Sequence, residues 1–185
     1  MEALDALLNR VSVPRLVEPA PNAAQREALF QAALRAPDHG QLRPWRFLTV
    51  EGEGREKLGA LLAAAVQVEG NANAAALDKA RAMPLRAPLL VVVIARLQDH
   101  FKVPASEQRL AAGCAAHGIL LAAHAQGIGA VWRTGELAYS KHVAKGLGLA
   151  DNEEIIAFLY LGTAQHEPRT APVLATADFV TAWGQ

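Results

Sequence analysis

Apolar positions recur along the chain with two periods, one helical and one extended, and the changes between them divide it into elements. Leu4, Leu7 and Leu8 fall at helical spacing and predict a short first helix ending near Arg10. The following VSVPRLVEPAP holds three prolines and reads as irregular. Asn22 with Gln25 is a capping-box pattern, and Leu29, Phe30, Ala33 and Leu34 then share one helical face. That helix should stop before Pro37 and give way to PDHGQLRPW, a loop dense in turn formers. Arg46–Val50 predicts a short strand broken by EGEG, Arg55–Val68 a third helix, and NANAAALDKARAM a fourth, more polar helix ending at Pro84.

Pro88–Ala95 (PLLVVVIA) has too little polar alternation for a strand with one wet face, which predicts a central strand covered on both sides. A long Ala-rich helix follows from about Ser106 to Gln126, with Gly127 as its C-terminal cap. GIGAVWR turns into a strand, Ser140 caps a short helix to about Leu147, and Glu154–Leu161 (EIIAFLYL) is a second fully buried strand, followed by Gly162. Past Pro168 the periodicity stops, although Phe179, Val180 and Trp183 are bulky. Helix, helix, strand, helix, helix, strand, helix, strand, helix, strand is an order that predicts one domain over 1–185, with a sheet between helical layers. Regular βαβ alternation is absent, as are a GxGxxG after a strand and a GxxxxGK[ST], so the two commonest nucleotide loops are missing.

Composition narrows the possible chemistry. Hydrophobic residues make up 52 % of the 185, enough for a core, and 18 basic against 18 acidic side chains leave no net charge. A general nucleic-acid or membrane-surface binder would need a basic excess, so any anion site must come from a few placed arginines. The single cysteine, Cys114, allows no intrachain disulfide, and the N-terminus lacks the basic start and apolar run of a secretory signal; both point to the cytoplasm. The longest apolar stretch, Leu110–Gln126, contains His117, His124 and two glycines, which suits a buried core helix rather than a membrane span.

Three stretches could carry chemistry. Arg10-Val11-Ser12 with Arg15 offers an arginine fork and a hydroxyl suited to a phosphate, although an arginine at a helix end also complements the dipole. Arg35 sits in the last turn of its helix, followed by His39 in the loop and by Pro44-Trp45, where the tryptophan is either a ring platform or a core plug. Gly127–Thr134 (GIGAVWRT) lets the backbone approach something flat, then presents a ring, a cation and a hydroxyl. On a strand Trp132 and Thr134 share a face and Arg133 opposes them; all three meet one ligand only if the chain turns there, which Gly135 permits. His117 and His124 are seven apart on one helix without a third ligand, so no metal site is expected. Cys114 reads as a small buried thiol. No GxSxG is present and no serine has an evident base, so no catalytic side chain is assigned.

Taken together, RVS at 10–12, RAPDH after the second helix, EGEGRE after the first strand, KVP before the long helix, AGCA within it, WRTG after the glycine turn and FLYLGT near the end resemble the nitroreductase family over residues 1 to about 165. The resemblance is to its small NAD(P)H nitroreductases. It implies an α+β fold, a three-layer sandwich with a mostly antiparallel sheet between helices, in an intertwined homodimer. It further implies FMN as cofactor, with Arg10, Val11 and Ser12 at the ribityl phosphate end, Arg35 and His39 contributed by the other subunit, and Trp132, Arg133 and Thr134 also on the flavin. NAD(P)H is expected near the helix end, at Ala122, Ala123, His124, Ala125, Gln126 and Gly127. The implied activity is hydride transfer from NAD(P)H to the flavin, then electron transfer to a small flat acceptor such as a nitroaromatic or quinone. Another reaction on the same fold, such as enone reduction or dehalogenation, or flavin binding with little turnover, stays open. Val11 stands where this type has a second arginine, and Arg43 where many members have glutamine.

Overall fold

The structure, a computed structural model, describes residues 1–70 and 72–184; Asn71, at the head of the predicted fourth helix, and Gln185 lie outside the described residues. In chain order the elements are α1 (Ala3–Asn9), β1 (Leu16–Val17), α2 (Ala23–Ala33), β2 (Trp45–Glu51), α3 (Glu53–Val68), α4 (Ala74–Ala82), β3 (Leu89–Arg96), α5 (Ala105–Ala125), β4 (Gly129–Arg133), α6 (Lys141–Gly146) and β5 (Glu153–Ala164). Short 3-10 turns cover His39–Gln41, Met83–Arg86, Glu136–Tyr139 and Thr176–Asp178. Every pairing is antiparallel: β3 lies between β2 and β5, β5 also pairs with β4, and its C-terminal end pairs with β1.

The unbroken apolar run of β3 follows from its position. All residues from Leu89 to Ala95 are buried. Leu89, Val91, Val93 and Ala95 pack with Leu29 and Ala33 of α2 and with the inner face of α5, whereas Leu90, Val92 and Ile94 pack with Leu58 and Leu62 of α3, Ala80 of α4 and Val143 of α6. Successive side chains point to opposite faces, so a strand with helices on both sides has no wet face for polar residues. β5 divides in the same way: Ala157, Leu159 and Leu161 face one layer and Phe158 and Tyr160 the other. The α+β three-layer sandwich with an antiparallel sheet is therefore present.

Small residues set the spacing of the layers. The row Ala112, Ala115, Ala116 and Ala123 is fully buried and brings α5 close to the sheet. A Cβ on Gly118 would lie 3.0 Å from the Ala32 carbonyl oxygen, so glycine is what lets α2 and α5 approach. One edge is closed by charge. The Glu153 carboxylate accepts from Arg46 Nε at 2.7 Å and Nη2 at 2.6 Å, and Arg96 Nε stands 3.4 Å away, so one acid ties β5 to β2 and β3.

Several expectations need correction. VSVPRLVEPAP is not wholly irregular, because Leu16–Val17 adds to β5 by long-range pairing that local pattern cannot reveal. The third helix begins at Glu53, inside EGEG, where Gly52 (φ 52°) makes the turn. The last strand runs through Gly162 to Ala164, since a Cβ there would meet Pro88 and the Val17 carbonyl oxygen (2.6 and 2.9 Å) and glycine alone fits between its neighbours. Cys114 is exposed, not buried, because it lies on the side of α5 away from the sheet.

Candidate functional site

The segment after α1 is held down by alternation. Val11 and Val13 are buried, Arg10 and Ser12 half-buried, and the Val13 amide donates to the Ala130 carbonyl at 2.9 Å, which lays the segment beside the start of β4. Arg10 and Val11 line a recess of about 200 Å³ together with Leu120, His124, Gly127, Ile128 and Gly129. The N-terminal stretch thus meets the far end of α5, where His124 Nε2 is buried without a hydrogen-bond partner. Ala123 packs into the core, Ala122 and Gln126 are half-buried, and Ala125 and Gly127 are exposed. Since the Val11 side chain points inward, an apolar residue suits its position. Ser12 opens instead onto an adjoining recess of about 380 Å³, lined by Arg15, His166 and Arg169, where the Gln165 amide donates to the Arg15 carbonyl.

Along β4, Arg133 lies three residues beyond Ala130, about 10 Å at the rise of a strand. Trp132 packs towards α5, where a Cβ on Gly113 would lie 3.9 Å from its ring. Arg133 points to the opposite layer, its guanidinium 5.6 Å from the centre of the Tyr160 ring and its Nε buried without a partner. The strand ends there and Gly135 (φ 77°) turns the chain, so Thr134 joins Arg133 in a recess of about 420 Å³ with Lys79, Arg86, Phe158 and Tyr160. Burial pushes the Tyr160 hydroxyl up from its ordinary range, and the Arg133 and Arg86 charges pull it back down. Two of the three predicted residues therefore meet in one cavity, and Trp132 lies across the strand from them.

Arg35 and His39 lie elsewhere. Arg35 is exposed past the end of α2, and His39 Nδ1 is 2.7 Å from Glu107 Oε2 in the first turn of α5. Seventeen residues of α5 separate Glu107 from His124, about 25 Å of helix. Within one chain, His39 and the Arg10 recess thus stand at opposite ends of α5. The loop carrying His39 is fixed by Asp38, whose carboxylate accepts from the Leu42 amide at 3.2 Å and the Arg43 amide at 2.7 Å. It holds Gln41 and Arg43 in the left-handed region, at φ 53° and 48°, and leaves the Arg43 side chain exposed. Trp45 is a core plug.

Sequence reasoning passed over Lys79, Arg86, His166 and Arg169, because each sits in a stretch with no motif and reaches its recess only through packing. No group of three or more His, Cys, Asp or Glu residues among the described residues is placed to hold a metal ion. No helix among them is long and apolar enough to cross a membrane.

The family model described as "Nitroreductase family" matches residues 7–163. The chain belongs to the nitroreductase family. It is accordingly an enzyme and an oxidoreductase. Over 171 residues it is 44 % identical to a protein of Escherichia coli (strain K12) named "Putative NAD(P)H nitroreductase YdjA", covering 92 % of this chain and 93 % of that one. Among solved structures, a nitroreductase-like family protein from Bacillus cereus superposes with a TM-score of 0.83 at 22 % identity, over 100 % of this chain and 97 % of that chain. A point mutant of NfnB, an FMN- and NADPH-dependent nitroreductase from Sphigopyxis sp. strain HMH, gives 0.78 at 19 % identity with both chains fully covered. The motifs spread over 1 to about 165 therefore identified a real kinship.

Proposed function

We propose that this nitroreductase-family chain acts over its whole length as one FMN-binding domain of a cytoplasmic homodimer, taking hydride from NAD(P)H and passing electrons to a small flat acceptor such as a nitroaromatic or quinone. The observation that carries this reading is the course of β4. The Arg10–Ser12 segment lies beside its start, where a recess opens towards α5, and the Arg133–Thr134 cavity opens at its end, so one short strand carries both a cationic segment and a ring-sized cavity. The donor set fits FMN: Arg10 and Ser12 are half-buried rather than lost to solvent or core, and a buried guanidinium nitrogen of Arg133 lacks a partner.

In this reading Arg10 and Ser12 hold the phosphate by charge-assisted hydrogen bonds, and Val11 contributes its backbone. Arg133 and Thr134 flank the ring end, and Trp132 stiffens the strand that carries them by packing on α5. FMN would supply the two-electron chemistry that no side chain of this chain can perform. The end of α5, residues 122–127, offers NAD(P)H a surface beside Arg10.

The second subunit is favoured by two further observations. His39 stands too far from Arg10 along α5 to reach the same FMN from one chain. Leu4, Leu7 and Leu8 of α1, Leu110 of α5, and Val173, Leu174, Phe179, Val180 and Trp183 of the tail expose apolar surface that another copy would cover. An anaerobic visible spectrum of the purified protein, before and after NADPH, tests the reading. A flavin band that bleaches on NADPH supports it; colourless protein unable to take up added FMN overturns it. Sedimentation of FMN-loaded protein as a monomer would overturn the dimer.

A further inference from the structure

We propose that the recess of Lys79, Arg86, Arg133, Thr134 and Tyr160 binds the carboxylate of an aromatic acid, so that the preferred electron acceptors are flat organic acids. The acceptor role rests on the proposed function; the carboxylate site rests on the residues themselves.

Several basic side chains of this protein are paired with acids. Arg26, Arg46, Arg81, Arg96 and Arg109 all sit within ion-pair distance of a carboxylate. Among the described residues Lys79, Arg86 and Arg133 have none, and no acidic side chain lines their recess. Glu69 and Glu136 line the adjoining groove that Lys79 also borders, without closing on it. Lys79, Arg86 and Arg133, from three elements, line one recess that holds no acidic side chain, in a chain whose overall charge is zero. Lys79 and Arg86 are exposed and Arg133 is half-buried, so an anion entering the recess would meet three cations, one of them partly shielded from solvent.

The walls decide which anion. Leu58, Leu62, Leu137 and Phe158 supply an apolar lining that suits the body of a ring. The Arg86 guanidinium and the Tyr160 hydroxyl, which the flavin reading leaves free, are donors suited to a planar carboxylate. A recess of about 420 Å³ accommodates a single-ring acid, and the apolar walls strengthen its charge pairing. Arg133 and Thr134 also belong to the proposed flavin set, so an acid held here neighbours that cofactor.

The test uses FMN-loaded protein, isothermal titration calorimetry with benzoate and its neutral isostere benzamide, and the exposed-site variants Arg86→Gln and Lys79→Gln, with retained folding checked by circular dichroism. We expect benzoate to bind about tenfold tighter than benzamide, and each variant to weaken benzoate about tenfold while leaving benzamide unchanged. The preference of kcat/KM for 4-nitrobenzoate over nitrobenzene should fall in parallel. Equal binding of benzoate and benzamide, or unchanged benzoate binding in Arg86→Gln, overturns the site. Benzoate that binds FMN-free protein but not loaded protein also overturns it, because the flavin then fills the recess itself. Protein that takes up no FMN yet still prefers benzoate upholds the carboxylate site and overturns only the acceptor role.

Discussion

β3 and β5 bury every residue from Leu89 to Ala95 and from Ala157 to Leu161, whereas α1 leaves Leu8 72 % exposed and the tail leaves Trp183 98 % exposed. Both regions are apolar in sequence, and they differ in what packs on them. The strands are flanked by α2 and α5 on one side and by α3, α4 and α6 on the other, so a single chain completes their environment. The first helix and the tail meet little of their own chain: of the α1 residues only Ala6 is buried. Removing a side chain from the strands should therefore cost the fold, whereas removing one from the ends should cost association.

Leu159→Ala should have the largest effect. It empties a fully buried position between β3 and α5 and should lower unfolding free energy by about 2–5 kcal/mol in urea denaturation. A loss under about 1 kcal/mol would show that the core is looser than the packing implies.

Glu153→Gln should come next, at about 1.5–3 kcal/mol, because the carboxylate side chain is only 6 % exposed and bonds two nitrogens of Arg46. Arg46 holds the Glu153 carboxyl below the ordinary carboxylate range, with smaller help from the Ala150 amide and Arg96. A lowered folded-state pKa means that the stabilisation is fully present above the unfolded value of about 4.3 and is lost as pH falls through the lower folded value. The variant should accordingly lose less stability than the parent on acidification below about pH 4. An identical acid profile would remove Glu153 from the account.

Asn22→Ala should cost about 1 kcal/mol, since it deletes a capping box in which the Asn22 side chain accepts from the Gln25 amide at 2.9 Å and Gln25 reciprocates. The smallest effect on folding belongs to the double substitution Leu4→Gln and Leu8→Gln, expected within about 0.5 kcal/mol of the parent at a protein concentration where both are monomeric. Sedimentation should nevertheless show weaker self-association. Unchanged association together with a large stability loss would invert the contrast between core and ends.

Most of the fold was legible because its signals are local. The capping box at Asn22, the unbroken run of β3 and the Ala-rich α5 are statements about neighbours in sequence, and the structure repeats them nearly residue for residue. β1 was missed because two residues between prolines carry no pattern; they become a strand only when the end of β5 is there to pair with. The exposure of Cys114 was missed because its surroundings in α5, Leu110–Ala116, are all apolar, and composition cannot tell the face against the sheet from the face turned away. The candidate site divides likewise. Arg10, Ser12, Arg133 and Thr134 stand in recognisable motifs, whereas Lys79 and Arg86 reach their recess through α4 and the 3-10 turn that follows it, and His166 and Arg169 through the tail.

By itself the sequence determined every helix and strand but β1, the three-layer α+β class and, through motifs spread over most of its length, the family. Only the tertiary structure decided which residues share a cavity. It joined Arg133 and Thr134 to two cations about fifty residues earlier, turned Trp132 to the other side of the strand, and set His39 and Arg10 at opposite ends of α5. Helix and strand periodicity follow from backbone geometry within a few residues, but a cavity forms from side chains whose only relation is the packing of separate layers.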